Sequence, residues 1–326
     1  MDEDQSAKTP VDEEATHSQP IEEPLDPSGI AQFVEHDRCP RYLKQRVDPG
    51  DEPDAREWRE AYGLMNIALL GNGKEFEARQ VEALAANAMK IIGPDLGDRS
   101  NADTPDITVD ETWHETTEGR TNQLTTALDD AAALSPTAAG DRPYILCYQA
   151  PLGGQIGNQD VWGEVDCLVL SPATAAPANE PSSQQDGSSQ ADSESTTVQP
   201  QPSTNDADVV ARVLDIKSAS EQQPSHRVQV AVYSVLFDQL LTDEPTPSCR
   251  IATSVLTQET AATTGESLHP LDLPTFYRQE WQLIVRQLLA ADGPIETALN
   301  DDLGELPFSI DRVCDNCAYK EACATR

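Results

Sequence analysis

Two acidic strand segments and a set of cysteines are the residues of this chain whose types and spacing could do chemistry. Gly163-Glu164-Val165-Asp166 lies within an apolar, β-forming run, and Leu214-Asp215-Ile216-Lys217 ends another. If the two strands are neighbours, Asp166 and Asp215 converge on one point, and the one-residue skip between Asp215 and Lys217 puts both side chains on the same strand face. Two carboxylates can hold a Mg2+ or Mn2+ that keeps several waters. A lysine beside them can position an attacking water or stabilise a transition state, which is the layout a phosphodiesterase needs. An isolated D-x-K string, by contrast, is usually an ordinary polar strand end. Gln229 and Tyr233 are four apart and so share a helix face, with His226 and Arg227 nearby. Such a pair can hydrogen-bond a phosphate backbone and order the lysine, but alone it says nothing.

The C-terminus reads Cys314-Asp-Asn-Cys317-Ala-Tyr-Lys-Glu-Ala-Cys323. Two cysteines three apart can ligate one metal from a single turn, and a third can reach it from the next turn. A fourth ligand is needed. Cys147 and Cys167 sit in apolar strand contexts and Cys249 begins a strand, so these read as buried core residues. Cys39 differs, lying in the polar, arginine-flanked string Asp37-Arg38-Cys39-Pro40-Arg41-Tyr42, and it is assigned as the fourth thiolate. Four thiolates suit zinc and an iron–sulfur cluster alike, and the bland alternative is a few unrelated reduced thiols at a chain end. The five histidines, His17, His36, His114, His226 and His269, show no metal-ligand spacing and read as surface residues; only His36, one turn before Cys39, could stand in as a ligand.

Bulk composition sets the surroundings. The chain has 326 residues and a net charge of -35, with 22 Lys plus Arg against 57 Asp plus Glu. Such acidity ordinarily argues against a phosphate-rich partner. The acid is spread from end to end, lysine is scarce and aromatics are only 5 %, the composition of a halophile's protein adapted to very high intracellular salt. There the Debye length falls to roughly 3 Å or less, so repulsion of DNA is screened beyond contact distance. No segment approaches the roughly 20 apolar residues that span a bilayer, and the N-terminus opens acidic, so a cytoplasmic protein with no membrane contact is expected. In a reducing compartment the seven cysteines are ligands or small hydrophobes rather than disulfides.

The elements that must position these groups follow from periodicity. Residues 1–29 read as a disordered acidic tail, and 171–208, rich in Ser, Gln, Pro and acid, as a solvated insert between two strands. Residues 31–46 and 55–92 read as helices, the second with Leu64, Ile67, Ala68, Phe76, Val81 and Leu84 along one buried stripe. Residues 144–150, 161–170, 209–216 and 249–257 read as strands, and 226–241 and about 274–291 as helices. The polar stretch 93–141 is ambiguous, with Trp113 and a possible helix at 125–134. Strands alternating with helices after a helical start imply an α/β sandwich with a mixed central sheet.

Gly163-x-x-Asp166, Asp215-x-Lys217 and Gln229-x-x-x-Tyr233, in that order and flanked by one upstream cysteine and a terminal CxxC-x5-C, resemble the iron–sulfur subgroup of RecB-like nucleases within the PD-(D/E)XK superfamily. The CRISPR-associated exonuclease and the AddB nuclease domain belong to that subgroup. The resemblance implies a restriction-endonuclease-like α/β core over 142–257, broken by the insert at 171–208. Around it would lie a helical arm at 30–92, a variable polar segment at 93–141, and a C-terminal iron–sulfur subdomain at 258–326, the nuclease domain running from 30 to 323. It makes Asp166, Asp215 and the Ile216 carbonyl ligands of Mg2+ or Mn2+, Lys217 the catalytic lysine, and Gln229 and Tyr233 the helix pair near the scissile phosphate. Cys39, Cys314, Cys317 and Cys323 would hold a 4Fe-4S cluster stapling the two ends of the chain together, chiefly for folding.

One departure from the pattern concerns the upstream helix. The CRISPR-associated relatives usually place a histidine there after a glycine, where this chain has Gly71-Asn72-Gly73-Lys74-Glu75-Phe76-Glu77. Glu77 is the candidate metal ligand, with Glu75 the alternative. The Gly-x-Gly-Lys string is no phosphate loop, since Ala68 and Glu75 stand where glycine and Ser or Thr are required. A helicase motor would therefore be a separate chain. The expected activity is exonucleolytic hydrolysis of DNA, on single-stranded ends, in repair and recombination beside a helicase or in spacer processing beside CRISPR adaptation proteins. The rivals are a non-catalytic iron–sulfur subunit and a zinc-stabilised interaction protein whose acidic insert binds partners.

Overall fold

The computed structural model describes residues 24–47, 67–94, 108–136, 141–175, 207–264, 268–308, 310, 312–320 and 323. Expectations for residues 1–23, 55–66 and 176–206 lie outside the described residues, as do Leu64 and His17.

Val209–Ile216, β5, is buried at every position. A continuous aliphatic run of this kind suits a central strand covered on both faces. It lies antiparallel to β4 (Gln159–Pro172) and parallel to β6 (Cys249–Leu256), within a six-stranded mixed sheet of order β2-β1-β3-β4-β5-β6. β3 (Ile145–Ile156) and β4 form a long antiparallel hairpin, while β1 (Lys90–Gly93) and β2 (Glu111–Thr112) extend the sheet in parallel beyond β3. The hairpin turn needs glycine: Gly157 has φ +63, and a Cβ there would sit 1.8 Å from the Leu289 carbonyl oxygen.

One face of the sheet shares a core with α1 (Pro27–Glu35), α4 (Thr117–Ala133), α5 (Pro224–Asp243), α7 (Arg278–Leu288) and α8 (Pro294–Asn300). The other face packs on α3 (Ile67–Ala85) and the strap containing Leu268, Leu271 and Leu273. Of the stripe expected on α3, Phe76, Val81 and Leu84 are buried. Arg212 crosses from β5 to pin the strap, its guanidinium donating to the Leu271 and Leu273 carbonyls and to Ser254. The architecture is a mixed α/β sandwich consistent with a PD-(D/E)XK-like core.

Several boundaries differ from those read along the chain. Residues 24–29 belong to the fold rather than to a disordered tail. Leu25 bridges Val161 and is buried, and Asp26 caps α1 by accepting from the Gly29 amide. The helix expected over 31–46 is two helices, α1 and α2 (Pro40–Val47), because Asp37 and Arg38 take positive φ and Pro40 starts a new helix. Residues 90–92 are strand rather than helix, since Ile91 and Ile92 bury by pairing with β3. The strand read at 144–150 continues to Ile156 through Pro151, Gly153 and Gly154, residues that weaken a strand signal in sequence. The ambiguous segment holds β2 and α4. The C-terminal region, expected to be helical with a cysteine cluster, holds α6 (Gln258–Thr264) and α8 beside the helix near 274–291, which narrows to Arg278–Leu288.

One irregularity matters for the site. On β3, Ile145 and Cys147 face the core shared with α5, as do Ala150 and Leu152, so the side-chain alternation reverses between 147 and 150. On β4, Val161 and Val165 face that same core, as do Leu168 and Leu170. The reversal centres on Gln149, a non-glycine residue at φ 48, and on Asp166 opposite it, where the ladder pairing lapses. Such a local kink re-aims side chains.

Candidate functional site

Asp166 stands at this kink on β4, beside the end of β5. Its Oδ2 accepts a hydrogen bond of 2.7 Å from the Ile216 amide, which lies between Asp215 and Lys217. Asp215 is fully buried, and among the described residues its Oδ2 has no hydrogen-bond partner. Against its charge stands the Lys217 ammonium, 2.9 Å from Oδ1. Burial works to lower the Lys217 ammonium, but Asp215, Asp166 and Glu77 together outweigh it and hold the lysine above its ordinary range. Burial pushes the Asp166 carboxyl well up, Asp215 adds to this, and Lys217 opposes it.

Glu77 reaches the same place from α3. Burial raises its carboxyl, Lys217 pulls it down and Asp215 pushes it up again, so all three groups lie within each other's fields. The Tyr148 hydroxyl contacts Glu77 Oε1 at 3.5 Å and accepts from the Gln149 amide at 3.0 Å. Glu75, the alternative, is exposed. Tyr148 and Gln149 were not singled out in the sequence; the one signal for them was an aromatic and an amide closing a strand-like run.

Gln229 and Tyr233 lie on α5, which packs beneath this point, but their hydrogen bonds run to the protein. Gln229 donates to the Ser28 hydroxyl at 3.2 Å, and the Tyr233 hydroxyl donates to the Glu164 carbonyl at 2.7 Å. Burial, then the negative charge of Asp166 and Asp215, lifts the Tyr233 phenol. The close approach explains Gly163: a Cβ there would lie 2.7 Å from Pro27 Cδ and 3.1 Å from the Tyr233 hydroxyl. His226 on the same helix is held below its usual range by burial, with Asp215 pulling upward and Lys217 downward. Its Nδ1 accepts from the Gln223 amide and so caps α5.

The seven cysteines fall into two groups. Cys147 and Cys167 are buried in the sheet, burial lifting the Cys147 thiol to about 12; Cys249 is half-buried rather than core. Cys39 sits in the break between α1 and α2, and the C-terminal segment returns to that spot. Burial raises the Cys317 thiol, with Cys39 and Cys314 adding to it, and raises that of Cys323 to about 11, with Cys317 and Cys39 adding to it. The four are therefore electrostatic neighbours despite the length of chain between them. The Tyr319 amide points at Cys317 Sγ and the Gln45 amide at Cys323 Sγ, each at 3.4 Å. Tyr319 packs edge-on against Tyr42, and Arg41 and Lys44 of α2 bond the Leu306 and Leu299 carbonyls. His36 is engaged elsewhere, stacked on Tyr42 and bonded to the Gln32 carbonyl. Among the described residues, no three His, Cys, Asp or Glu side chains stand in ready metal-ligating geometry.

The carboxylate site has room for a cation on grounds of charge. Three carboxylates face the Lys217 ammonium in a largely buried place, and Asp215 Oδ2 is left without a hydrogen bond among the described residues. Buried charge left uncompensated in this way is costly, and a divalent cation removes the excess. No described helix is long and apolar enough to cross a membrane. No curated protein and no solved structure matches the chain. Residues 204–324, which hold Asp215, Lys217, α5 and three of the four cysteines but not Glu77, Asp166 or Cys39, match the PD-(D/E)XK nuclease superfamily and form a domain of that superfamily.

Proposed function

We propose that the chain is a metal-dependent DNA exonuclease of the RecB-like, iron–sulfur kind, hydrolysing phosphodiester bonds at single-stranded ends. The observation that carries the reading is the meeting of Asp166 on β4 with Asp215 and Lys217 at the end of β5, the latter two within the residues that match the superfamily.

Glu77, Asp166, Asp215 and the Ile216 carbonyl would hold Mg2+ or Mn2+, which when bound neutralises phosphate charge and makes hydroxide available at neutral pH. Lys217, kept protonated by the carboxylates, donates toward the attacking water or the phosphate oxygens where negative charge develops. The Ile216 amide fixes the Asp166 carboxylate, and with it the distance between the two strand ends. Tyr233 and Gln229 act by position: they clamp α1 and the Glu164 carbonyl, holding β4 against α5 beneath the reacting phosphate.

Cys39, Cys314, Cys317 and Cys323 would hold a 4Fe-4S cluster. The supports are the mutual influence of the four thiols and the N–H groups aimed at two of the sulfurs, since hydrogen bonds to cluster sulfurs tune its potential. The role of such a cluster is to close the N-terminal helices onto the C-terminus. A second reading, a non-catalytic or zinc-stabilised subunit, draws on the lack of ready ligating geometry among the described residues. Supply of ended substrate by a helicase or by CRISPR adaptation proteins belongs to the same proposal.

The deciding experiment digests open and end-blocked DNA in high salt with Mg2+ or Mn2+. Nucleotide release from open ends alone, lost in Lys217→Ala, is expected. Equal release by the variant and the wild type would sink the assignment.

A further inference from the structure

Trp162 is 42 % exposed on β4, four residues before Asp166. Burial alternates over 161–165, so Trp162 and Glu164 share the strand face turned away from α5, and Asp166 follows at the kink. At about 3.3 Å per residue the indole stands ~13 Å from the carboxylate, within the reach of a short run of unstacked nucleotides. The strand opposite leaves the indole uncovered: Gly153 pairs with Trp162, and a Cβ on Gly153 would meet the indole Cδ1 at 2.7 Å. Trp162, Gly153 and Gly154 also border a cavity of about 370 Å3 whose other walls include Leu152, Val161, Leu236 and Leu240 of the α5 face and Arg120 of α4.

We propose that Trp162 is a stacking platform for an unpaired base of the strand whose phosphate is cleaved at the Asp166–Asp215 site. This deepens, and rests on, the nuclease reading. Aromatic side chains seat bases of any sequence because every base offers a π face, which suits a non-specific nuclease. Glu164, exposed between the platform and the site, repels phosphate, so the strand presents its bases to β4 and turns its backbone outward. The structural alternative is that the indole merely covers a bare glycine in the opposite strand.

The full chain, with chelator present so that nothing is cut, is titrated with a short oligothymidylate and with the same strand made abasic. Indole emission and anisotropy report binding. The wild type binds the base-bearing strand with quenched emission. Trp162→Leu, which still shields Gly153, binds it roughly 5- to 150-fold more weakly, Trp162→Phe falls between, and wild type and Leu variant bind the abasic strand alike. A Leu variant that keeps wild-type affinity for the base-bearing strand, or loses affinity for both strands equally, overturns the platform. Failure of the nuclease reading looks different: Mg2+ and Mn2+ then release no nucleotide from the wild type, whatever stands at 162.

Discussion

The Ile216 amide donates to the Asp166 carboxylate across 2.7 Å, so the residue between Asp215 and Lys217 ties β4 to β5 just beyond the last paired residues, Cys167 and Leu214. This bond fixes the separation of the two carboxylates while leaving Asp215 with no partner but Lys217. Replacing Lys217 with Ala or Asp215 with Asn is therefore expected to cut metal-dependent nucleotide release by about 10²- to 10³-fold or more, measured at saturating metal.

The same pair predicts opposite effects on stability without metal. Lys217→Met strands the buried Asp215 charge and should cost about 2–3 kcal/mol, toward the low end of such losses because the lysine keeps 27 % exposure. Adding Asp215→Asn should recover most of it. Thermal melts in chelator check this, and a double variant as unstable as Lys217→Met alone would contradict it.

Metal should stabilise the folded protein by mass action. At a hundred times its dissociation constant the gain is about 2.7 kcal/mol, visible as a raised Tm in the wild type and absent in Asp215→Asn.

His269 predicts a pH effect on the strap over β5 and β6. Its Nε2 donates to the Arg142 carbonyl at 3.2 Å, and its Nδ1 accepts from the Leu271 amide at 3.3 Å, so both nitrogens are engaged in the neutral form. Burial, and then Arg142, hold it below the ordinary 6.5. With the folded value depressed, the unfolded chain takes up the proton first. The stabilisation is thus complete above 6.5 and is lost as pH falls through 6.5 toward the folded value. Urea midpoints should drop over that interval, and His269→Gln should flatten the drop.

The cysteine assignment predicts that protein purified without oxygen is brown, with iron and sulfide present. Cys39→Ser and Cys323→Ser should each lose colour and solubility, whereas Cys249→Ser should keep both. A colourless wild type containing zinc would replace the cluster with the zinc reading.

Read along the chain alone, the residues establish which chemical groups are present and in what order: an acid within one strand run, an acid closing the next with a lysine two residues on, the glutamine and tyrosine on one helix face, and cysteines toward both ends. These are local properties, set by residue identity and by periods of 2 and 3.6, and they survive in a linear reading. The strand cores of β4, β5 and β6 and the centre of α5 were legible for the same reason. The break at Asp37 and Arg38, the conversion of 90–92 to strand, and the hairpin through Gly153 and Gly154 were not, because packing against a distant β3 or Val161 overrode weak local preference. Only the tertiary structure decided that side-chain alternation reverses at Gln149 and Asp166, that Glu77 rather than Glu75 meets Asp215, and that Tyr233 spends its hydroxyl on the Glu164 carbonyl. Each of these depends on sheet register and on contacts between residues far apart in the chain, and no period within one element encodes them.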